Sequence, residues 1–345
     1  MGHPIPALPD RPIEQRISPF SLPHPAKRGE FNHGLLNNQE EVDELDGKIP
    51  KIFTDGSKLE GKVGGAATWW ENGTERRYVS FKLNHYNTVF QAELMAILKA
   101  VEMVAKYNSA EAHIISDSRS GLQAVEDTDT SHPLITSIHK EIRELRTTGK
   151  TVHLFWVRAH AGIMGNERAD ELAKKAALTK KSAPVYDGVP VSYVKLTLRQ
   201  NTLQEWQRRF EETNTAGITK MFLVDVRQAH KTLSKIQMYN IRAQILTGHG
   251  GFGEYLHRFK LKNNPGCACD EDTIETVLHV LLECPRFGVK RMELEQSLGI
   301  PISNTNLANL LEDDNCREKF LRYAEYVVKV TNNTNNSAVR HIVTD

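Results

Sequence analysis

The sequence predicts a mixed α/β domain with helices on both faces of its sheet, followed by a small helical module rich in cysteine and histidine. Three observations lead to this prediction. The length of 345 residues exceeds the usual size of one domain. Three consecutive β-rich segments give way to alternating helical and β-rich segments, as in α/β proteins. All four cysteines lie in the last quarter of the chain, which favours metal ligation over a disulfide scaffold.

Changes in composition, and prolines between the patterned segments, divide the chain into four parts. We expect a Pro-rich leader or linker without a fold of its own at 1–48, the α/β domain at 49–182, a linker and basic helical region at 183–262, and the Cys/His module with a helical tail at 263–345. With 39% hydrophobic and 25% charged residues, the composition excludes the collagen-like and membrane classes. The sequence has no membrane-length apolar run and no signal-peptide pattern. We therefore expect an intracellular protein without membrane association, in the nucleus or the cytoplasm.

The α/β domain begins with three strands, at 51–57, 64–70 and 77–83. Asn72-Gly73 between the second and the third is a strong hairpin signal. Apolar residues then recur three and four positions apart over 89–106, which predicts an amphipathic helix. The remaining predicted elements are strands at 112–116 and 151–157 and helices at 134–145 and 166–178. Hairpin-joined strands followed by alternating elements imply a mixed sheet.

A basic block follows the α/β domain. Residues 195–262 hold 12 Lys and Arg against 5 Asp and Glu, and their pattern predicts helices at 195–212 and 233–246. Such a block can steer nucleic acid, but a solvated helical face explains it equally well. Further helices are predicted at 290–298 and 318–328, before a frayed Asn/Thr-rich end.

Four carboxylates occur where the predicted elements can bring them together. Asp55 lies on the first strand and Asp117 ends the fourth, at the sheet edge where ligands gather in open α/β sheets. Glu93 lies at the inward edge of the first helix, and Asp170 lies one turn into the last. Carboxylates held together raise each other's pKa, so a divalent cation is the natural compensator. Oxygen ligands favour Mg²⁺ or Mn²⁺, and four acids suit two such ions.

The segments around these acids resemble, in order, the motifs of type 1 ribonuclease H. The matching segments are Thr54-Asp55-Gly56-Ser57, Gln91-Ala92-Glu93-Leu94-Met95-Ala96, Ser116-Asp117-Ser118, Trp156-Val157-Arg158-Ala159-His160 and Gly165-Asn166-Glu167-Arg168-Ala169-Asp170-Glu171-Leu172-Ala173. The resemblance implies a five-stranded sheet of order 3-2-1-4-5 and hydrolysis of the RNA strand of an RNA–DNA hybrid. It also implies that Asp55, Glu93, Asp117 and Asp170 bind two Mg²⁺ or Mn²⁺ ions.

The resemblance assigns further roles around the acids. His160 matches a mobile-loop histidine with a proton-shuttle or product-release role, although a surface-loop histidine is the plain alternative. Ser57 and Thr88 are candidate hydroxyl donors to the substrate backbone, and the Gly56 amide is a candidate substrate contact. The basic protrusion of some family members is missing, since the segment 126–133 offers only acidic charges. We expect the basic block, or an adjacent polymerase domain, to bind the hybrid in its place.

The Cys/His cluster has the ligand count of a closed tetrahedral zinc site. Cys267, Cys269, His279 and Cys284 offer three thiolates and one imidazole, with free buried thiols as the alternative. The surrounding region, with Leu246-Thr247-Gly248-His249-Gly250 before the cluster, resembles the part that follows ribonuclease H in non-LTR retrotransposon polyproteins. The resemblance implies the carboxyl-terminal piece of such an element, or a gene derived from one, with a reverse transcriptase domain of the same element as partner.

Two other functions compete with hydrolysis of hybrids. The first is a catalytically silent, retroelement-derived protein that binds nucleic acid through the basic block and the zinc module. Retention of all four acids and His160 argues against it. The second is a transposase or integrase of the same superfold, which the carboxylate spacing disfavours.

Overall fold

A computed structural model describes residues 9–107 and 109–342 of the chain. The chain divides between Leu198 and Arg199 into two compact units. Each unit has its own hydrophobic core, and each is described by itself below. No helix in the described ranges combines the length and the apolar character needed to cross a membrane.

The first unit contains a six-stranded mixed sheet. Its strands are β1 (His33–Leu36), β2 (Lys51–Leu59), β3 (Lys62–Glu71), β4 (Thr74–Leu83), β5 (Glu111–Ser116) and β6 (Thr151–Val157). Their order across the sheet is β1-β6-β5-β2-β3-β4. β2, β3 and β4 pair antiparallel through tight hairpins, and β2, β5, β6 and β1 pair parallel. The mixed sheet is therefore confirmed, and the predicted order 3-2-1-4-5 is the run β4-β3-β2-β5-β6.

The leader supplies the sixth strand, so the prediction of five strands was one short. β1 pairs parallel with β6, with His33 opposite Leu154 and Leu36 opposite Val157. A short helix, α1 (Gln39–Glu44), follows it. Glu14, further towards the amino terminus, accepts hydrogen bonds from the Gln91 amide and the Tyr186 hydroxyl. The expectation that 1–48 has no fold is wrong for these described parts, because the segment completes the sheet and packs on it.

Helices cover both faces of this sheet. They are α2 (Val89–Lys106), α3 (Arg119–Glu126), α4 (Pro133–Thr147) and α5 (Met164–Thr179), and α6 (Val191–Glu212) follows them. Successive residues of β2 point to opposite faces, so Ile52 joins the core under α2 and α4, whereas Phe53 joins the core with Ala169 of α5. The sheet is thus buried on both sides, and its strand ends are held between two helical layers.

The second unit is helical, with one small hairpin. Its helices are α7 (Gly217–Phe222), α8 (Val226–Leu233), α9 (Asn240–Thr247), α10 (Gly253–Arg258), α11 (Gly288–Leu298), α12 (Leu307–Glu312) and α13 (Asp314–Ile342), and its hairpin joins β7 (Gly266–Cys267) to β8 (Asp270–Ile274). The helix predicted at 233–246 is wrong, because α8 ends at Leu233 and α9 begins at Asn240. The expected frayed end is also wrong as far as Ile342, since α13 continues through a fully buried Thr331.

Candidate functional site

Three of the four predicted acids meet at one end of the sheet. Asp55 comes from β2, Glu93 from the second turn of α2, and Asp117 from the residue after β5. One carboxylate oxygen from each lies within 4.8 Å of the others. Asp55 and Glu93 are only 6% and 7% exposed, so their charges are shielded from water. The parallel pairing of β2 with β5 produces this meeting, because Thr54 lies opposite Ser116 in the last pair of the register and Asp55 and Asp117 directly follow them in the sequence.

Burial and mutual repulsion raise the pKa values of the three acids. Burial raises the pKa of Asp55 to about 7, and the negative charges of Asp117 and Asp170 add to it, while Lys174 opposes them. Glu93 has a pKa well above its ordinary value, because it is buried and faces Asp55 and Asp117. Burial also raises the pKa of Asp117. The cluster thus carries more negative charge than the protein alone can stabilise.

Two oxygens of the cluster have no hydrogen-bond partner. Asp55 Oδ2 and Glu93 Oε2 are both fully buried and unbonded. A buried carboxylate oxygen without a partner costs free energy, which a cation at the centre of the cluster would recover. The donor set contains only oxygen, which suits Mg²⁺ or Mn²⁺ and not a soft metal. The residues present therefore fit a divalent hard cation.

Gly56 and Thr88 fix the position of Glu93. A Cβ on Gly56 would lie 2.5 Å from the backbone nitrogen of Glu93, so only glycine lets α2 approach β2 this closely. Thr88 precedes α2 as its N-cap and forms a capping box, in which the Thr88 hydroxyl oxygen accepts a hydrogen bond of 3.1 Å from the backbone N–H of Gln91. Thr88 was predicted as a substrate contact, and the structure gives its hydroxyl this capping role.

Asp170 lies beside the other acids on α5. Gly165, near the start of α5, touches the Phe53 ring, which sets the helix close against β2. Asp170 Oδ2 accepts a hydrogen bond of 2.6 Å from Lys174, one turn further along the helix. It is not among the three acids whose oxygens lie within 4.8 Å of one another. The fourth predicted acid is therefore near the cluster and is paired with a lysine.

Two neighbours of Asp117 were not predicted as site residues. The Asn166 side-chain amide donates to Asp117 Oδ2 at 3.1 Å, and the Trp156 indole N–H donates to its backbone carbonyl at 3.0 Å. The bond from Asn166 acts to lower the pKa of Asp117 and so opposes the effect of burial. A signal was present in the sequence, since Asn166 lies one helical turn before Asp170 and shares its helix face.

The remaining predicted residues of this site differ in exposure. His160 is exposed in the loop between β6 and α5, with a φ of 57°, and Gly162 follows with a φ of 74°. The charge of His160 is a minor influence that lowers the pKa of Asp117. Ser57 is 8% exposed on β2, two residues after Asp55. The His160 side chain is therefore accessible to solvent, whereas Ser57 is largely buried.

The second unit brings together all four predicted cysteine and histidine ligands. One ligand atom from each of Cys267, Cys269, His279 and Cys284 lies within 4.8 Å of the others. Cys269 Sγ is 3.3 Å from His279 Nε2, and Cys267 Sγ is 3.8 Å from Cys284 Sγ. The first two ligands come from the β7–β8 hairpin and the others from the helical turn at His279–Glu283 and its end. Three thiols and one imidazole at these distances fit a tetrahedral Zn²⁺ site.

The surroundings of the cluster favour a bound cation. Cys267 and Cys284 are 1% and 0% exposed, and they belong to the core of this unit. His279 Nε2 faces the Cys269 thiol, while a Glu283 carboxylate oxygen lies 3.6 Å from Nδ1, beyond hydrogen-bond distance. Burial raises the pKa of Cys267 to about 12, so the thiols need a cation to become thiolates.

Part of the first unit matches a known protein family. Residues 48–178 match the RNase H family model. A putative 115 kDa protein in the type-1 retrotransposable element R1DM of Drosophila melanogaster is 30% identical over 137 residues, covering 39% of this chain and 13% of the relative. A Pol polyprotein from element R1 4 of Nasonia vitripennis is 37% identical over 90 residues, covering 26% of this chain and 22% of the relative. A ribonuclease H of Campylobacter jejuni is 28% identical over 135 residues, covering 37% of this chain and 90% of that enzyme.

Two solved structures align with part of the chain. The N-terminal RNase H domain of a Mycobacterium tuberculosis protein aligns at 19% identity with a TM-score of 0.32, covering 37% of this chain and 98% of that one. RNase H1 of Halobacterium salinarum aligns at 23% identity with a TM-score of 0.31, covering 37% and 96%. The chain spans about an eighth and a fifth of the two retrotransposon proteins it matches. The match to the RNase H family model is confined to residues 48–178 of this chain.

Proposed function

We propose that this chain is an endoribonuclease that hydrolyses the RNA strand of RNA–DNA hybrids with two Mg²⁺ or Mn²⁺ ions. The observation that carries the proposal is the pair of buried, unbonded oxygens, Asp55 Oδ2 and Glu93 Oε2, within a cluster of three acids. Uncompensated carboxylates are costly to bury, and a fold keeps them where a metal-dependent reaction uses them. The match of the surrounding residues to the RNase H family supports the same activity.

The acidic residues of the cluster would bind the metal ions, and their neighbours would position them or transfer a proton. Asp55, Glu93 and Asp117 hold the metal ions, and Asp170 completes the set from α5. When bound, the ions supply activation of a water nucleophile and stabilisation of the departing 3′ oxygen. Asn166 holds the Asp117 carboxylate in place, and its bond opposes protonation of that group. His160, exposed on its loop, would move a proton to or from the reacting phosphate or assist release of the product.

The source of the hybrid is part of the proposal. The relatives include Pol polyproteins of retrotransposable elements, of which this chain matches only a part. We infer that a reverse transcriptase domain of the same kind of element makes the hybrid on which this domain acts. A polymerase that holds the hybrid would also replace the basic protrusion that the segment 126–133 lacks.

The test is magnesium-dependent cleavage of an end-labelled RNA–DNA hybrid, beside double-stranded and single-stranded RNA of the same sequence. We expect cleavage of the hybrid alone, and loss of more than about 100-fold in rate for Asp55→Asn, since a metal ligand is removed. Asp187→Asn, an exposed carboxylate of the same unit, is the matched control and should cleave normally. Full cleavage by Asp55→Asn would contradict the site. No cleavage by folded, magnesium-loaded protein would favour the catalytically silent nucleic-acid-binding protein.

A further inference from the structure

Three aromatic rings form a row on the surface of the second unit, and none of them belongs to the Cys/His cluster. The row consists of His249, Tyr255 and Phe259. The His249 and Tyr255 ring centroids are 5.1 Å apart with planes at 33°, and the Tyr255 and Phe259 centroids are 4.7 Å apart with planes at 45°. The two ends of the row are the exposed members, since His249 is exposed and Phe259 is 54% exposed. The rings are tilted against each other, and the exposed ring at each end of the row offers apolar surface to a planar ligand.

The row stands on a rigid base. Tyr255 and Phe259 are four residues apart along α10 and its end, so they lie on one face. Leu256 of the same helix is buried, at 9% exposed, and Tyr255 itself packs against the core of the unit. Lys262 fixes the chain after the helix by donating to the Gly266 carbonyl oxygen at 2.9 Å. The rings are therefore held in place before any ligand arrives, which lowers the entropic cost of binding.

Cations without acidic partners flank the row. The Arg258 guanidinium carbon lies 5.9 Å from the centroid of the Phe259 ring, and Lys260 follows at a left-handed turn with a φ of 60°. Neither side chain forms an ion pair with any acid in the described ranges, and Glu254 is the one acidic residue of α10. These two cations remain available for an anionic ligand.

Two other arginines of the basic block are paired with acids of their own helix. Arg208 pairs with Glu205 at 2.8 Å and with Glu212 at 2.5 Å, and Arg209 pairs with Glu205 at 2.7 Å, all within α6. Their charge is compensated by the same helix, which is the solvated-face interpretation of that part of the block. The compensated Arg208 and Arg209 thus differ from Arg258 and Lys260, which lie beside the ring row without an ion-pair partner in the described ranges.

We propose that the row formed by His249, Tyr255 and Phe259, with Arg258 and Lys260, binds single-stranded nucleic acid by stacking unpaired bases on its exposed rings. Stacked aromatic side chains combined with unpaired cations are the recognition chemistry of single strands, because every base has a π-face and every linkage a phosphate. A duplex does not fit this chemistry, since its bases are already stacked on each other. The site is separate from the hydrolytic proposal and does not depend on it.

The experiment measures binding of fluorescent (dT)20, (rU)20 and a 20-base-pair DNA duplex to the full chain by anisotropy. Magnesium-free buffer makes the result independent of hydrolysis. We expect Phe259→Ala to weaken single-strand binding about 5- to 150-fold and Phe259→Trp to stay within about twofold of the wild type. Phe20→Ala removes a 99% exposed phenylalanine elsewhere in the chain and is the matched control, with binding unchanged. Lys260→Gln should reduce the slope of log K against log salt by about 0.7.

The binding measurements can support or overturn the single-strand site. A loss on both oligonucleotides supports base stacking in general, and a loss on one of them assigns the site to DNA or to RNA. Wild-type binding of neither oligonucleotide at low salt overturns the proposal, as does a loss of the same size on the duplex. If Phe259→Ala proves to unfold at a lower temperature, His249→Ala at the loop end of the row replaces it. Binding by that variant within about twofold of the wild type would then overturn the proposal.

Discussion

Replacing Asp55 with asparagine should stabilise the metal-free first unit while it removes activity. The pKa of Asp55 is raised from its ordinary 3.8 to about 7 on folding, chiefly by burial. The folded state therefore keeps a proton that the unfolded chain has already lost, and the stability of the wild-type protein falls as the pH rises from about 4 through 7. At 1.36 kcal/mol per pKa unit, the cost in free energy of unfolding is about 2 kcal/mol at pH 5 and about 4 kcal/mol at pH 8.

Asp55→Asn removes this cost because the amide carries no charge. The variant should gain about 4 kcal/mol over the wild type at pH 8 without metal and about half as much at pH 5. Adding Mg²⁺ should erase the difference, since the ions stabilise only the wild-type cluster.

The assay is urea unfolding followed by tryptophan fluorescence in a Trp206→Phe background. The other three tryptophans of the chain lie before residue 198, so the signal then reports the first unit. Asp187→Asn, an exposed change, should alter stability by less than about 0.5 kcal/mol. The reasoning would be refuted if Asp55→Asn were less stable than the wild type at pH 8, or if the difference did not grow with pH.

Three further perturbations test other parts of the structure. Cys284→Ser should lose bound zinc and unfold the second unit, whereas Cys316→Ser should keep about one zinc per chain, as measured by metal analysis and circular dichroism. Asn166→Ala removes the donor that lowers the pKa of the neighbouring aspartate, so the acid limb of the pH–rate profile should move to higher pH. Gly56→Ala should cost about 1–3 kcal/mol in thermal unfolding, because its Cβ would lie 2.5 Å from the backbone of α2, while Gly47→Ala, which meets only open space, should be neutral.

The hairpins, the first long helix and the candidate ligands could be predicted from short stretches of sequence. The hairpin signal at Asn72-Gly73 and the apolar spacing of α2 gave strands and a helix that the structure contains, with α2 at the predicted bounds 89–106. The acids could be named because each stands in a distinctive context at a strand end or on a helix face. The four zinc-ligand candidates could be named because cysteine and histidine are rare and closely spaced.

The elements that were missed depend on contacts distant in sequence. β1 is four residues long, and its partner β6 lies about 120 residues away, so no local periodicity marks it. The continuation of α13 was missed because Thr331 and Asn335 appear polar in the sequence. In the fold both are buried, and Asn335 donates to the Gly251 carbonyl at 2.7 Å. The ring row was missed for a different reason: its members are close in sequence, but His249 meets Tyr255 across a turn that no periodic pattern marks.

The pairing of β1 with β6 also sets an order of events during synthesis. β1 leaves the ribosome before any other strand of its sheet, yet its partner is made about 120 residues later. At about 5–20 residues per second, β1 waits about 6–24 s without a hydrogen-bonding partner. A nascent chain halted before Leu154 would hold the leader strand, the hairpins and α2 but could not complete the sheet. The first strand made is thus the last to be placed, and the open edge of β6 closes only after most of the domain exists.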